Sequence, residues 1–342
     1  VKIVVFGAGS IGVFVGGSLL AAGADVTLIG RAHMGERIAR HGIVLTDLHG
    51  RRVALEGARI PYSEDPGKLA EADLILVTVK SSDTATAADA IHAYAKPSAL
   101  VLSLQNGIGN AAVLRERLKG MTVVGGMVPF NVVQMEEGRF HRGTEGELVV
   151  EALPALGGWH GIFKAAHLPL VERVDFAAVQ WGKLLLNLNN PVNALSGLPL
   201  KAELSQRAYR RCLALLIEEA LATLAAAGIA PAKVARVSPS LLPRILRLPD
   251  WLFKRVAAAM LRIDPEARSS MWEDLQAGRR TEIDYLNGAV VALARSLGRS
   301  APANERIVEL IRRAEAGKGR ELDGAVLYHL LSAPILGAMA KA

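Results

Sequence analysis

The chain of 342 residues has a single cysteine, Cys212. One thiol excludes an internal disulfide framework and any cysteine-based metal centre. Aromatic residues make up only 5% of the chain. Long apolar runs are also missing. The most apolar late stretch, Val326 to Met339, is interrupted by His329, Ser332 and Pro334 and falls short of the ~20 residues a membrane helix needs. It reads as a packed terminal helix, buried in its own domain or against a second copy, so a homodimer stays open. No charged-then-apolar leader is seen at the start, because Val1 already enters a strand pattern; a cytoplasmic chain with no membrane partner is expected. Internal repeats and low-complexity tails are absent. At 51% hydrophobic residues, the composition is not that of a disordered chain. Lys and Arg number 40 against 33 Asp and Glu, a net charge of +7. These basic residues are dispersed rather than set in a stripe with aromatics between them, which argues against nucleic acid as a partner. A basic surface that attracts a phosphorylated cofactor and an acidic substrate accounts for the sign.

What is present begins at the first residue. Val1 to Phe6 is a buried-strand pattern, and it runs directly into Gly7-Ala8-Gly9-Ser10-Ile11-Gly12, a Gly-x-Gly-x-x-Gly motif. A strand–turn–helix phosphate cradle requires that order. Gly7 lets the chain leave the strand in a tight turn, Gly9 clears the backbone for a pyrophosphate, and Gly12 lets the next helix pack closely. Ser10 and Ile11 open that helix, whose N-terminal N–H groups favour an anion. A second strand, Asp25 to Ile29, follows. At its end NAD-binding chains place a carboxylate for the ribose 2′-hydroxyl. Here the residues are Gly30, Arg31, Ala32 and His33. Arg31 suits a 2′-phosphate instead, so the reading is NADP(H).

Through about residue 130 the pattern alternates strand and helix, which implies a parallel sheet covered on both faces. Strands are expected at 2–6, 25–29, 43–48, 73–79, 99–104 and 122–127, and helices at 11–22, 32–40, 84–95 and 108–118. Residues 138–152 hold two short strand-like runs that add antiparallel strands at the sheet's edge. From about Val174 the texture becomes Ala/Leu-rich with a helical period. Helices are expected at 176–190, 201–228, 252–262, 267–277, 282–297 and 302–316, with the Pro-bearing stretch 238–250 a broken helix or insertion. The fold class is therefore an α/β Rossmann-type N-terminal domain, residues 1–174, plus an all-α C-terminal domain, residues 175–342. A substrate is expected in a cleft opposite the carboxyl ends of the strands.

Three clusters carry candidate chemistry. Lys80 with Ser81 and Ser82 ends one apolar strand, and Gln105-Asn106-Gly107 ends the next, so both emerge at the cofactor edge. Lys80 is placed to meet a cofactor phosphate, and Asn106 to orient nicotinamide or substrate. The third cluster is Lys183, Asn187 and Asn190, spaced i, i+4 and i+7 on one face of an otherwise apolar helix. An amine and two amides are costly to bury without partners, so that face is expected to line a polar cleft. A lysine against apolar walls has a lowered pKa, which suits proton donation near neutrality. Downstream, Thr281 and Asp284 have capping-box spacing, so Glu282 is expected to begin a helix.

Taken together these segments resemble the ketopantoate reductase (2-dehydropantoate 2-reductase) family over nearly the whole chain. The resemblance rests on the glycine motif, Gly30-Arg31, Val79-Lys80, Gln105-Asn106-Gly107, Lys183 with its following asparagines, Ser269-Ser270-Met271 and Thr281-Glu282-Ile283-Asp284. It implies a C-terminal domain similar to that of 6-phosphogluconate dehydrogenase and NADPH-dependent reduction of a small 2-oxo acid, ketopantoate, to (R)-pantoate in pantothenate and coenzyme A synthesis. It also implies that Lys183 is the catalytic lysine and Glu282 the active-site glutamate. Asn106, Asn187 and Ser270 match family positions that hold substrate, with Asn190 beside them, and Arg31 and Lys80 match positions near the 2′-phosphate. The chain departs from the family pattern in one place near the site: the later asparagine stands seven rather than eight residues after the lysine, with Pro191 at eight. It is also longer around 238–265. Two other readings stay open, a reductase of another branched 2-oxo acid and an NADP(H)-sensing protein without turnover.

Overall fold

The computed structural model describes residues 1–233, 237–258, 265–319 and 321–333. The chain divides into two compact units, Val1–Phe176 and Ala177–Ala342.

The first unit contains strands β1 (Lys2–Phe6), β2 (Asp25–Ile29), β3 (Ile43–Asp47), β4 (Arg52–Leu55), β5 (Tyr62–Ser63) and β6 (Leu74–Val77). They are followed by β7 (Leu100–Ser103), β8 (Thr122–Met127), β9 (Val132–Gln134), β10 (Arg139–Arg142), β11 (Leu148–Glu151) and β12 (Leu170–Arg173). Its helices are α1 (Ser10–Ala21), α2 (Ala32–His41), α3 (Thr84–Tyr94), α4 (Asn110–Arg117) and α5 (His160–Ala165). An eight-stranded sheet has the order β12-β11-β8-β7-β6-β1-β2-β5. Every neighbouring pair is parallel except β11 and β8. Side chains alternate across it. Ile3 and Val5 join one core with Phe14, Leu19 and Leu28 from the α1 side. Val4 joins another with Ile75, Val77, Ala88, Ile91 and Leu114, from the side of α3 and α4. Sequence order reverses at β1, between β2 and β6, the point at which open α/β sheets bind ligands.

Two strands lie elsewhere than the alternating pattern suggests. β3 belongs to a separate four-stranded sheet, β4-β3-β10-β9, in which β10 pairs parallel with β3 and antiparallel with β9. Only β11 of the 138–152 pair joins the main sheet, antiparallel to β8. The β3–β4 pairing has a local cause: Asp47 Oδ1 accepts from His49 N at 2.8 Å and Arg51 N at 3.0 Å, turning the chain straight back into β4.

In the second unit, α6 (Phe176–Asn187), α7 (Asn189–Ser196), α8 (Leu200–Leu204) and α9 (Arg207–Ala226) come first. Then follow α10 (Leu242–Leu246), α11 (Asp250–Val256), α12 (Ser270–Gln276), α13 (Asn287–Ser296), α14 (Pro302–Glu315) and α15 (Gly324–Ser332). The long α9 buries Leu213, Leu216, Ile217, Ala220 and Leu224 and packs against α7, α8, α10, α13, α14 and α15. It is the axis of this unit. The stretch 238–250 is indeed broken, into a 3₁₀ turn at Pro239–Leu241 and α10. The helix expected at 252–262 is α11, with 259–264 outside the described residues. Residues 326–332 of the apolar segment 326–339 belong to α15, and residues 334–342 lie outside the described residues.

The helix expected over 176–190 ends at Asn187, with Leu188 between α6 and α7. Pro191 explains the break: it has no N–H for the Asn187 carbonyl four residues back, and its ring crowds that carbonyl. The helix expected over 282–297 is interrupted as well, by a 3₁₀ turn at Ile283–Tyr285 before α13.

Candidate active site

In the first unit, the chain leaves β1 through Gly7 at φ +117°, where a Cβ would stand 2.5 Å from the Val79 nitrogen. At Gly12 a Cβ would stand 2.2 Å from the Gly7 carbonyl oxygen. These two glycines are demanded by the protein's own packing. At Gly9 a Cβ would meet nothing within 4 Å. The middle glycine therefore borders open space at the N-terminus of α1, whose first turn has no acidic residue and no side-chain cap. The first helical bond there is Val13 N to Gly9 O at 2.9 Å. The N–H groups of Ser10, Ile11 and Gly12 thus have no partner within the helix. A cradle of N–H groups beside free space fits a pyrophosphate.

Arg31 is the residue before α2, with an exposed side chain. Its guanidinium lies 3.8 Å from the Asp83 carboxylate, and its carbonyl accepts from Tyr62 Oη at 2.7 Å. No carboxylate stands at the end of β2 itself. Lys80 follows β6 directly before the 3₁₀ turn Ser81–Asp83. Asn106 follows β7 and is half-buried. A polar network ties those two loops together. Ser81 Oγ donates to Asn106 O at 2.8 Å, Asn110 Nδ2 donates to Ser81 Oγ and to Asn106 O, and Thr84 Oγ1 donates to Asn110 Oδ1. Gln105 Nε2 donates to Val79 O and Thr84 Oγ1. Thr84 and Asn110 carry no signal in the sequence beyond being polar at the edge of a helix, yet they hold both loops.

In the second unit, Lys183 lies on α6 between buried Trp181, Leu184 and Leu185. Its side chain is half-buried by area, but the surrounding walls dominate its electrostatics. Burial pulls the ammonium down from 10.5 to about 8, and the Glu282 carboxylate opposes that by favouring the charge. The structure therefore brings Lys183 and Glu282 into one electrostatic environment. Glu282 precedes a 3₁₀ turn rather than starting an α-helix. The expected Thr281–Asp284 capping box is not formed. Asp284 pairs with Arg312 at 2.7 Å, while Thr281 N and Oγ1 both donate to Glu315 Oε1 at 2.8 Å. Glu315, 34 residues further on, anchors the backbone next to Glu282.

Lys183 and Asn187 share α6, but Asn190 lies beyond the Leu188 break, on α7. The single-face expectation holds for the first two residues only. Asn190 is instead tied to the Ser270 segment. Ser269 Oγ donates to Asn190 O at 3.1 Å and caps α12 by accepting from Trp272 N. Ser269 N donates to Asn193 Oδ1 at 2.9 Å. Ser270, exposed, is the first residue of α12. Asn193 is fully buried, and sequence spacing gave no reason to single it out.

Fold and site define a class: an oxidoreductase built from a Rossmann-type domain and a helical domain that carries a half-buried lysine beside a glutamate. The family described as ketopantoate reductase PanE/ApbA matches residues 3–155, and its C-terminal counterpart matches residues 175–315. The chain is 32% identical, over 92% of its length and 99% of the relative's, to a 2-dehydropantoate 2-reductase of Halobacterium salinarum. Among solved structures, a PanE/ApbA family ketopantoate reductase from Ralstonia eutropha JMP134 superposes with a TM-score of 0.79 at 31% identity, covering 93% of this chain and 99% of that one. D-mandelate dehydrogenase, solved with NADH and anilino(oxo)acetate, shares the fold at TM-score 0.77 and 20% identity, with 93% and 99% coverage. This chain belongs to the ketopantoate reductase PanE/ApbA family.

Proposed function

We infer that the chain reduces 2-dehydropantoate (ketopantoate) to (R)-pantoate with NADPH, a step of pantothenate and coenzyme A synthesis. The observation that carries this reading is Lys183, an amine that burial lowers to about 8 and whose charge Glu282 favours, in a chain of this family. When bound, the nicotinamide supplies a hydride to the 2-keto carbon. The ketone oxygen then gains negative charge. Lys183, as ammonium, stabilises that charge and delivers the proton. Glu282 holds Lys183 charged and accepts a hydrogen bond from the substrate hydroxyl. Asn106, Asn187, Asn190 and Ser270 bind the hydroxyl and carboxylate through neutral donors. The Gly7–Gly12 turn holds the pyrophosphate, and Arg31 and Lys80 hold the 2′-phosphate.

The Leu188 break favours one second reading. It sets Asn190 on a different helix from Lys183, which suits a branched 2-oxo acid of another shape. A non-catalytic NADP(H) sensor has no use for a lysine tuned to about 8. Initial rates of NADPH oxidation with ketopantoate and a panel of branched 2-oxo acids separate these readings. A kcat/KM for ketopantoate at least tenfold above every other acid is expected. Preference for another acid overturns the substrate, and no turnover with any acid overturns the reductase.

A further inference from the structure

Glu203 lies on α8, and its side chain is fully buried. Asn189, the first residue of α7, donates from Nδ2 to Glu203 Oε2 at 3.0 Å. The other two atoms of this pair, Glu203 Oε1 and Asn189 Oδ1, have no hydrogen-bond partner. With an ionised carboxylate both are acceptors, and two orphan acceptors in one buried pair form a costly arrangement. Burial outweighs the Asn193 amide and the nearby cation, which favour the charge. Arg210 on α9 donates to the carbonyls of Leu204, Leu246 and Leu248 and pairs with Asp250 at 2.9 Å. Tyr209 donates to Leu322 O, and Cys212 donates to Ala208 O and Gly324 O. Burial raises the pKa of both, so neither is ionised at neutral pH. Among the described residues Glu203 makes no ion pair.

We propose that Glu203 is a neutral carboxylic acid in the folded chain and closes a two-bond acid–amide ring with Asn189, making it the positioning residue for α7 and, through α7, for Asn190. One proton on Oε1 turns an orphan acceptor into a donor for the other orphan, so both are satisfied at once. Burial pushes this carboxyl up to about 8, which keeps the acid form at neutrality. Asn190 is the next residue along, and its carbonyl is gripped by Ser269 Oγ. Asn193, one turn later, grips Ser269 N and also donates to Leu198 O at 2.9 Å. α7 is thus fixed at its first residue by Glu203 and at its middle by the segment that starts α12. Ionising Glu203 sets a charge against Asn189 Oδ1 and loosens the first of these ties.

The sign of the pH effect follows from the raised pKa. The folded chain holds the Glu203 proton up to about pH 8, whereas the unfolded chain releases it near 4.5. The stabilisation is complete below pH 4.5 and is lost as the pH rises towards 8.

The test uses the full chain and its Glu203→Gln and Glu203→Ala variants. Gln reproduces the acid's pattern, with Nε2 donating to Asn189 Oδ1 and Oε1 accepting from Nδ2. Infrared difference spectra at pH 6 are expected to show the carbonyl stretch of one protonated carboxylic acid, absent from E203Q and fading in the parent protein across pH 8. The fall in Tm from pH 5 to 8 is expected to be shallower in E203Q by one proton's worth of linkage. E203Q is expected to keep the KM for the 2-oxo acid within about twofold. E203A is expected to raise it tenfold or more with the NADPH KM unchanged. That kinetic arm rests on the reductase reading, whereas the infrared and Tm arms do not, so a chain inactive on every oxo acid still tests the proton. A parent spectrum with no acid band that E203Q removes, or an E203Q as unstable as E203A, overturns the proposal.

Discussion

If Lys183 supplies the proton, the rate of reduction must follow its ammonium form. The structure gives the scale. Lowering the lysine from 10.5 to about 8 corresponds to about 3 kcal/mol of lost preference for the charged form. The cause is desolvation by the walls around α6, and Glu282 sets a limit to it. With a pKa of about 8, roughly nine tenths of the enzyme carries the ammonium at pH 7 and roughly one tenth at pH 9. The kcat/KM for ketopantoate, which reports the free enzyme, is therefore expected to fall about tenfold per pH unit above about 8. Glu282→Gln removes the group that favours the charge. Its alkaline limb is expected to move down by about one pH unit or more, the usual effect of a close opposite charge. A profile flat to pH 10 would remove Lys183 as the proton donor, and a limb in E282Q at the same pH as in the parent or above it would remove Glu282 as the group that sustains its charge.

Three further outcomes follow from the same geometry. Gly12→Ala is expected to lower Tm and abolish cofactor binding, because its Cβ meets the Gly7 carbonyl at 2.2 Å; Gly9→Ala, facing open space, is expected to keep Tm within about 2 °C while weakening dinucleotide binding, as read by calorimetric titration. Arg31→Asp is expected to raise the KM for NADPH about 10- to 100-fold, the size of a charge-assisted bond, with little change for NADH; equal effects on both coenzymes would remove Arg31 from the 2′-phosphate. Glu315→Ala leaves Thr281 N and Oγ1 without their acceptor and is expected to cost about 1–3 kcal/mol in urea unfolding and to lower kcat with the NADPH KM unchanged.

Much of the fold is legible in the sequence because its signals are local. The strand run before Gly7, the glycine spacing and the Ala/Leu period after Val174 each report on adjacent residues. β1, β2 and β8 fall on the expected residues. What is not legible depends on distant partners. β3 looks like any alternating strand until it is seen pairing with β10, nearly a hundred residues away. The break at Leu188 could have been read from Pro191, whose missing N–H acts four residues upstream. Spacing alone gives Lys183, Asn187 and Asn190 one face, and the proline removes the third. Glu282 has a similar history: the Thr281–Asp284 spacing suits a capping box, but Glu315 and Arg312, distant in sequence, take both side chains. Glu203 and Asn193 were invisible for the same reason, since a buried polar residue is recognised only by what surrounds it.

The role proposed for the amine on α6 is proton transfer, with no part in holding the coenzyme. Turnover of NADPH with ketopantoate by Lys183→Ala, measured beside the Kd for NADPH of the same protein, tests it directly. A loss of about 10²- to 10⁴-fold in kcat is expected, with the NADPH Kd within about twofold of the parent. Turnover close to that of the parent, or a Kd weakened as much as kcat, would contradict that role.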